Sequence, residues 1–394
     1  MPKTKTIKIL FAGFCLIFLF VSCVVNERNV FTDSMINVED SHMTDNPIIS
    51  AEELQEKMQA INQYNNLQLG GFSLMLGDSI YFADGIGIHK TDQTFNSYET
   101  LIYSDKGDAN ALENIVQFDR LHFDNGRIYF RDRSSFSIYS MNPDGLELTK
   151  ILDATMVNSE SGDENARITE FIVIQNKLYF NYFDHGISLK MLDLVTGEIS
   201  DLGFQETEIL TVGTNNVSLQ FSQFGSILTE LKFENNESRT IQPFKIEDND
   251  STRGIGYSTN SNGILAFIAY EAEFNKIYVI GDNGYAEELY SSNDFLIEQY
   301  INTINNWIYF TVMPDVHNFD MIALYRIRND GGEIELVYEN IAVGREKLSG
   351  LPVIFINLFS EDIILFKAHP TFHEIYALTR DGDTNSFFIK LINP

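Results

Sequence analysis

From residue 67 onward, short apolar runs of strand length alternate with polar turns, and one theme keeps returning. An apolar strand is followed by a turn, a strand of the form Ile-Tyr-Phe, a loop, a further strand and a tight turn with Gly. The clearest copies of the second strand are Ile80-Tyr81-Phe82, Ile128-Tyr129-Phe130, Leu178-Tyr179-Phe180 and Ile308-Tyr309-Phe310. Weaker copies are Leu219-Gln220-Phe221, Leu265-Ala266-Phe267 and Ile364-Leu365-Phe366. Their middle residues lie 41 to 56 residues apart. The third strand recurs as Ile138-Tyr139-Ser140-Met141, Ile277-Tyr278-Val279-Ile280, Leu324-Tyr325-Arg326-Ile327 and Ile375-Tyr376-Ala377-Leu378. These end at Asp144-Gly145, Asn283-Gly284, Asp330-Gly331 and Asp381-Gly382, pairs suited to the positive φ of tight hairpins.

Four strands in each period of roughly 40 to 50 residues predict an all-β fold, a β-propeller of four-stranded antiparallel blades over residues 65–394. Seven blades are favoured, with six as the alternative count. Each blade packs against a neighbour on both sides, so both faces must be apolar, which accounts for 31 Phe and 18 Tyr. The single Trp, Trp307, starts a strand and is expected in the core. The first unit, about 67–105, lacks an Asp-Gly or Asn-Gly turn. The fourth, about 207–245, is poorly patterned and reads as a candidate insertion. Ahead of the propeller a short helix is expected over 50–64, with Ser50 as N-cap, Glu52 and Glu53 in the first turn, and Leu54, Met58 and Ile61 on one face.

The N-terminus is organised differently. Lys3, Lys5 and Lys8 precede an unbroken apolar run at 9–21, too short for a spanning helix of about 20 residues but of signal-peptide length. Phe20-Val21-Ser22-Cys23 follows and resembles the lipobox of bacterial lipoproteins, with Phe20 where that family usually has Leu. The resemblance implies a signal peptide at 1–22 and lipidation of Cys23; the stretch that follows is rich in Asn, Asp, Ser and Met without a clear period, and 23–49 reads as the lipidated Cys and a flexible stalk. Acyl chains contribute about 0.8 kcal/mol per buried methylene, so two or three hold firmly. The expected partner is therefore a membrane, through the anchor at Cys23, at the extracytoplasmic face.

Charge supports an anchor of that kind. Asp and Glu total 56 against 27 Lys and Arg, a net charge of −29, which opposes nucleic acid and anionic lipid surfaces as partners. Both cysteines, Cys15 and Cys23, lie in the first 23 residues, so the body has no thiol for disulfides, nucleophilic catalysis or thiolate metal sites.

Tyr81-Phe82-Ala83-Asp84 and Tyr129-Phe130-Arg131-Asp132 resemble the Tyr-Trp-Thr-Asp repeat of low-density-lipoprotein-receptor-type propellers. Phe replaces Trp, and the other five units lack the Asp. The resemblance implies the fold and little about activity, because propellers host many chemistries.

Residue patterns for chemistry are sparse. His369 and His373 have a four-residue spacing, but Pro370 intervenes and no His-Glu-x-x-His motif is present. The Asp381-Gly382-Asp383-Thr384-Asn385 run fails as a calcium loop at Ser386 and Ile392, and Glu247-Asp248-Asn249-Asp250 reads as a solvated loop. No nucleophile elbow, phosphate loop or dinucleotide fingerprint occurs. The expectation is a non-enzymatic binding or scaffolding module with no cofactor, no metal and no catalytic residue, its ligand an unknown protein, small molecule or saccharide. The alternative is an extracytoplasmic propeller enzyme, a hydrolase or lyase acting on polysaccharide or peptide.

Overall fold

The computed structural model describes residue 66, residues 71–157 except 85–86 and 104–117, and residues 166–392 except 206, 213–217, 224–226, 233–237, 242–253, 262–263, 271–274, 281–284, 293–295, 314–321, 340–354, 368–374 and 381–386. The leader, Cys23, the stalk, the helix expected over 50–64, His369 and His373, and the acidic runs at 247–250 and 381–385 all lie outside the described residues.

The described strands form seven four-stranded antiparallel sheets, each built from consecutive segments of chain. Blade 1 comprises β1 (Ser73–Leu76), β2 (Ser79–Ala83), β3 (Gly87–Asp92) and β4 (Tyr98–Tyr103). Blade 2 comprises β5 (Phe118–Asp124), β6 (Arg127–Asp132), β7 (Ser137–Met141) and β8 (Thr149–Leu152). A single helical turn, α1 (Ala154–Val157), leads to blade 3, with β9 (Arg167–Ile174), β10 (Lys177–Phe183), β11 (Ile187–Asp193) and β12 (Ile199–Gln205). Blade 4 has β13 (Thr207–Val212), β14 (Ser218–Gln223), β15 (Ile227–Lys232) and β16 (Ser238–Ile241). Blade 5 has β17 (Gly254–Ser261), β18 (Ile264–Tyr270), β19 (Asn275–Ile280) and β20 (Ala286–Ser291). Blade 6 has β21 (Leu296–Ile304), β22 (Trp307–Met313), β23 (Ala323–Arg328) and β24 (Glu335–Tyr338). Blade 7 has β25 (Phe355–Ser360), β26 (Ile363–Lys367), β27 (Ile375–Arg380) and β28 (Phe387–Ile392). The first strand of each blade lies beside the first strand of the next, and β25 lies beside β1, so seven first strands ring the axis.

All seven Ile-Tyr-Phe-like runs fall on second strands, and all four third-strand runs fall on third strands. Blade 4 is a complete sheet rather than an insertion. Blade 1 lacks the Asp-Gly signal because its β3–β4 turn is built otherwise: Asp92 Oδ1 accepts from Thr94 N at 2.8 Å, and Phe95 adopts a φ of 54°. Where Gly does occupy such a turn, the need is local. Gly145 has a φ of +83°, and a Cβ there would lie 3.0 Å from that of Leu101 in blade 1.

The second strands follow one packing rule. Tyr81 joins a cluster with Phe118, Leu121, Ile128 and Phe130 of blade 2, whereas Ile80 and Phe82 pack with Phe359, Leu365, Ile375 and Ala377 of blade 7. Tyr129 faces blade 3, Ile308 and Phe310 face blade 5, and Tyr309 faces blade 7. The middle residue therefore packs on the next blade and its neighbours on the previous one, as a two-residue period between two buried faces requires. Trp307 departs from the expected core position. It is half-buried at the start of β22, with the Arg326 guanidinium 4.0 Å over its ring.

Among the described residues no strand is exchanged between the first and last blades, and side-chain groups join them. Asn66 Nδ2 donates to Leu358 O at 2.9 Å, and its Oδ1 accepts from Leu358 N at 2.9 Å and from Asn302 Nδ2 at 2.7 Å. Asn357 Oδ1 in turn accepts from the Ser73 hydroxyl at 2.7 Å and from Ser73 N at 3.1 Å. The Asn66 amide thus joins blades 6 and 7, and Asn357 beside it joins blade 7 to blade 1. Truncating Asn66 strands several buried partners, each worth about 1–3 kcal/mol. We expect Asn66→Ala to lower the urea unfolding free energy by about 2–4 kcal/mol. A change within about 0.5 kcal/mol, the scale of an ordinary surface substitution, would mean that closure does not depend on it.

Candidate functional site

Charged residues are concentrated where the first strands of blades 2 and 3 begin, and two irregularities in pairing put them there. In β5 the register with β6 skips between Asp119 and His122, and Arg120 takes a φ of 56°. In β9 the register skips between Glu170 and Ile168, leaving Thr169 without a cross-strand partner. Bulges of this kind bend a strand and re-aim its side chains.

Two ion pairs result. Arg131 binds Asp119 through two parallel bonds, Nε to Oδ1 at 2.9 Å and Nη2 to Oδ2 at 2.7 Å. Its Nη1 donates to the Thr169 carbonyl freed by the bulge, tying blade 2 to blade 3. Burial works to raise the Asp119 pKa, but the Arg131 charge and hydrogen bonds, with Arg120 and Arg133, outweigh it and hold the carboxyl below its usual range. Asp119 is thus locked as an anion. The second pair runs between blades: Arg120 Nη2 lies 2.7 Å from Glu170 Oε1, and Asn181 Nδ2 donates to Glu170 Oε2 at 3.1 Å. Arg120 and Glu170 both stand on strands of the innermost ring and keep partial solvent access, at 13% and 17% side-chain exposure.

His122 is different in kind. Val173 N donates to its Nε2 at 2.8 Å, so the imidazole carries its proton on Nδ1, which donates to Arg120 O at 3.2 Å. Burial pushes its pKa down to about 4. It is a neutral strut between β5 and β9.

The Asp residues of the two Tyr-Phe-x-Asp copies are turn caps. Asp84 Oδ1 accepts from Gly87 N at 2.8 Å and stands 3.2 Å from His89 Nε2, an ion-pair distance without hydrogen-bond alignment. Asp132 Oδ1 accepts from Ser134 N at 2.9 Å. Among the described residues no three His, Cys, Asp or Glu side chains are grouped as a metal site, and no helix is long and apolar enough to cross a membrane.

No protein-family model matches the chain, and no curated protein matches it in sequence. Solved structures do share the fold. Oligogalacturonate lyase from Vibrio parahaemolyticus superposes with a TM-score of 0.56 at 12% identity, covering 78% of this chain and 88% of that one. An oligogalacturonate lyase in complex with manganese gives 0.50 at 11% identity, covering 80% and 85%. The β-propeller domain of the Trilobed protease from Pyrococcus furiosus gives 0.49 at 13% identity, covering 82% and 97%.

This chain is a β-propeller. The expectation of a non-enzymatic module needs correction, because lyases stand among the solved structures of the same fold. The missing motifs never excluded catalysis: a propeller assembles its site from strand ends tens of residues apart, so no short signature marks it. Sequence reasoning named none of Asp119, Arg120 or Glu170, and met Arg131 only as the third residue of a Tyr-Phe-x-Asp copy. Their signal was present, as charges set inside otherwise apolar strands at 118–124, 127–132 and 167–174.

The His122 environment has a measurable consequence. Its folded pKa lies below the unfolded value, so the stability it contributes is complete above pH 6.5 and is lost as pH falls from 6.5 through about 4. A displacement of this size corresponds to about 3 kcal/mol. His122→Gln is expected to flatten the stability curve over that window when unfolding is measured at a series of pH values. An unchanged slope would remove His122 as its source.

Proposed function

We propose that the chain is an extracytoplasmic propeller enzyme that cleaves a polysaccharide, held at the outer face of a membrane by lipid on Cys23. The reading rests on one observation above all, the partly accessible Arg120–Glu170 pair on the innermost strands, with Arg120 kept at a φ of 56°. Non-glycine residues in the left-handed region cost energy and cluster at working sites.

The pairing of a carboxylate with a guanidinium suits elimination from an acidic sugar. Glu170 takes the proton next to the sugar carboxylate, and Arg120 stabilises the negative charge that develops there. The electron pair of the broken C–H bond forms the new C=C bond as the C–O bond to the glycosidic oxygen breaks, and that oxygen takes a proton from solvent water while Glu170 later returns its own to solvent. Asn181 holds the second Glu170 oxygen and fixes the carboxylate plane. Asp119 is a poor candidate for the base, since the Arg131, Arg120 and Arg133 charges hold its pKa below the usual carboxylate range and make it a weak proton acceptor.

The two lyase structures lend support, since those proteins act on oligogalacturonate by name. One of them binds manganese. Among the described residues no three His, Cys, Asp or Glu side chains are grouped to take such an ion. The signal-like leader and the Ser22-Cys23 junction support the tether, and the two Tyr-Phe-x-Asp copies support kinship with low-density-lipoprotein-receptor-type propellers.

A panel of acidic and neutral polysaccharides incubated with the purified chain should yield unsaturated products, seen by ultraviolet absorbance, from an acidic member only. Glu170→Gln should lower kcat by about a hundredfold or more, the scale of a lost general base. Cleavage unaffected by Glu170→Gln would refute this assignment. Separately, Cys23→Ser should abolish acyl incorporation and leave a precursor that still carries residues 1–22; membrane retention at mature size would remove the lipid anchor.

A further inference from the structure

We propose that Arg167, held between Phe136 and Phe183 at the seam of blades 2 and 3, is a binding subsite for a carboxylate-bearing sugar. The proposal rests on the reading of the chain as a polysaccharide-cleaving enzyme, and adds to it a second place where substrate is gripped.

The first ground is charge. Seven other arginines have described side chains, and each has a carboxylate within ion-pair distance: Arg120 at 2.7 Å, Arg127 at 3.3 Å, Arg131 at 2.7 Å, Arg133 at 3.7 Å, Arg326 at 2.8 Å, Arg328 at 2.9 Å and Arg380 at 3.7 Å. Among the described residues Arg167 alone has none. In a chain where acids outnumber bases two to one, a solvent-exposed guanidinium without a carboxylate is an exception that asks for an external anion.

The second ground is preorganisation. The Arg167 guanidinium carbon lies 4.9 Å from the Phe183 ring centre and 5.6 Å from that of Phe136. Contact with ring faces restrains a long side chain and leaves the donors on its edge available for two-pronged binding of a carboxylate. Because the rotamer is restrained beforehand, less entropy is lost when a ligand arrives. Phe136 itself adopts a φ of 51°, a costly conformation for a bulky aromatic residue in a turn where Gly would be unstrained. The backbone strain is retained at the residue whose ring meets Arg167.

The third ground is position. Phe183 pairs with Arg167 across β9 and β10, and Arg133 stands in the turn that carries Phe136. Glu170 is three residues further along β9, roughly 10 Å at about 3.3 Å per residue. One sugar chain can therefore engage both places. The rings hold the guanidinium in place and its edge meets the sugar carboxylate, so a neutral sugar lacks the group this site grips.

The test measures binding apart from cleavage. Trisaccharides of galacturonate, glucuronate and mannuronate are titrated calorimetrically against the full chain, with maltotriose as the neutral comparison. We expect at least one acidic trisaccharide to bind, Arg167→Met to weaken it tenfold or more, and Arg167→Lys to retain part of the affinity. Affinity of Arg167→Met within twofold of the parent, equal binding of maltotriose, or no acidic trisaccharide bound at all overturns the proposal. Arg167-dependent binding without any cleavage supports the subsite and removes the enzymatic reading. Cleavage with an unaltered KM in Arg167→Met does the reverse.

Discussion

Closure of the ring is the constraint on which everything else depends, and among the described residues it falls to side chains. A blade that borrowed a strand from the other end of the chain would be held by a ladder of backbone hydrogen bonds. Here each sheet is made of consecutive strands, so the seam between blades 7 and 1 has no such ladder. Bringing Asn66 to Leu358 closes a separation of 292 residues, an entropic cost of about 5 kcal/mol from loop length. Phe72, Ile80, Phe82, Phe359, Leu365 and Ile375 are buried at that seam. At about 1.5–3 kcal/mol for each large apolar side chain, their burial outweighs the closure term. Packing thus drives closure, while the Asn66 amide sets where the ends meet, because only one alignment satisfies its donors and acceptor together.

The same logic explains why charge appears inside the seams. Two apolar sheet faces can slide past one another at little cost, whereas a bidentate ion pair or a buried imidazole cannot. Arg131 reaching the Thr169 carbonyl and His122 accepting from Val173 N pin blade 3 to blade 2 near the axis. At the first hairpins, Asn125 bonds Asn176 between blades 2 and 3, and Asn305 bonds Glu361 between blades 6 and 7. Most polar groups of the seams therefore do structural work. Arg120 with Glu170, and Arg167, stand out because they keep solvent access or lack a carboxylate.

Much of this was legible in the sequence, for a physical reason. A blade packed on both faces must place large apolar residues at consecutive positions of its second strand, and the Ile-Tyr-Phe runs record that demand. Blade 4 was harder to read because its run, Leu219-Gln220-Phe221, puts a polar residue at the middle position. Blade 1 was obscured by a turn that uses Asp92 and Phe95 in place of Asp-Gly. The candidate site was not read at all. It depends on two bulges, and a bulge shifts which residues face each other without altering composition. Glu170 meets Arg120 across 50 residues, and Arg167 meets Phe136 across a blade boundary. Only the charges inside apolar strands hinted at them.

The acidic character of the chain bears on how such a site could serve an anionic polymer at all. With a net charge of −29 the protein repels polyanions at long range. Screening at physiological ionic strength has a length of about 8 Å, so a carboxylate at the seam responds mainly to its immediate neighbours. Those neighbours include Arg120, Arg131, Arg133 and Arg167, drawn together on two adjacent blades, while much of the acid is spent elsewhere on turn caps such as Asp92, Asp132 and Asp193. Added salt weakens distant repulsion and local attraction together, so the balance between them has an optimum. In that neighbourhood Glu170 and Asp119 already offset Arg120, Arg131 and Arg133, which leaves Arg167 as the guanidinium that has no carboxylate among the described residues.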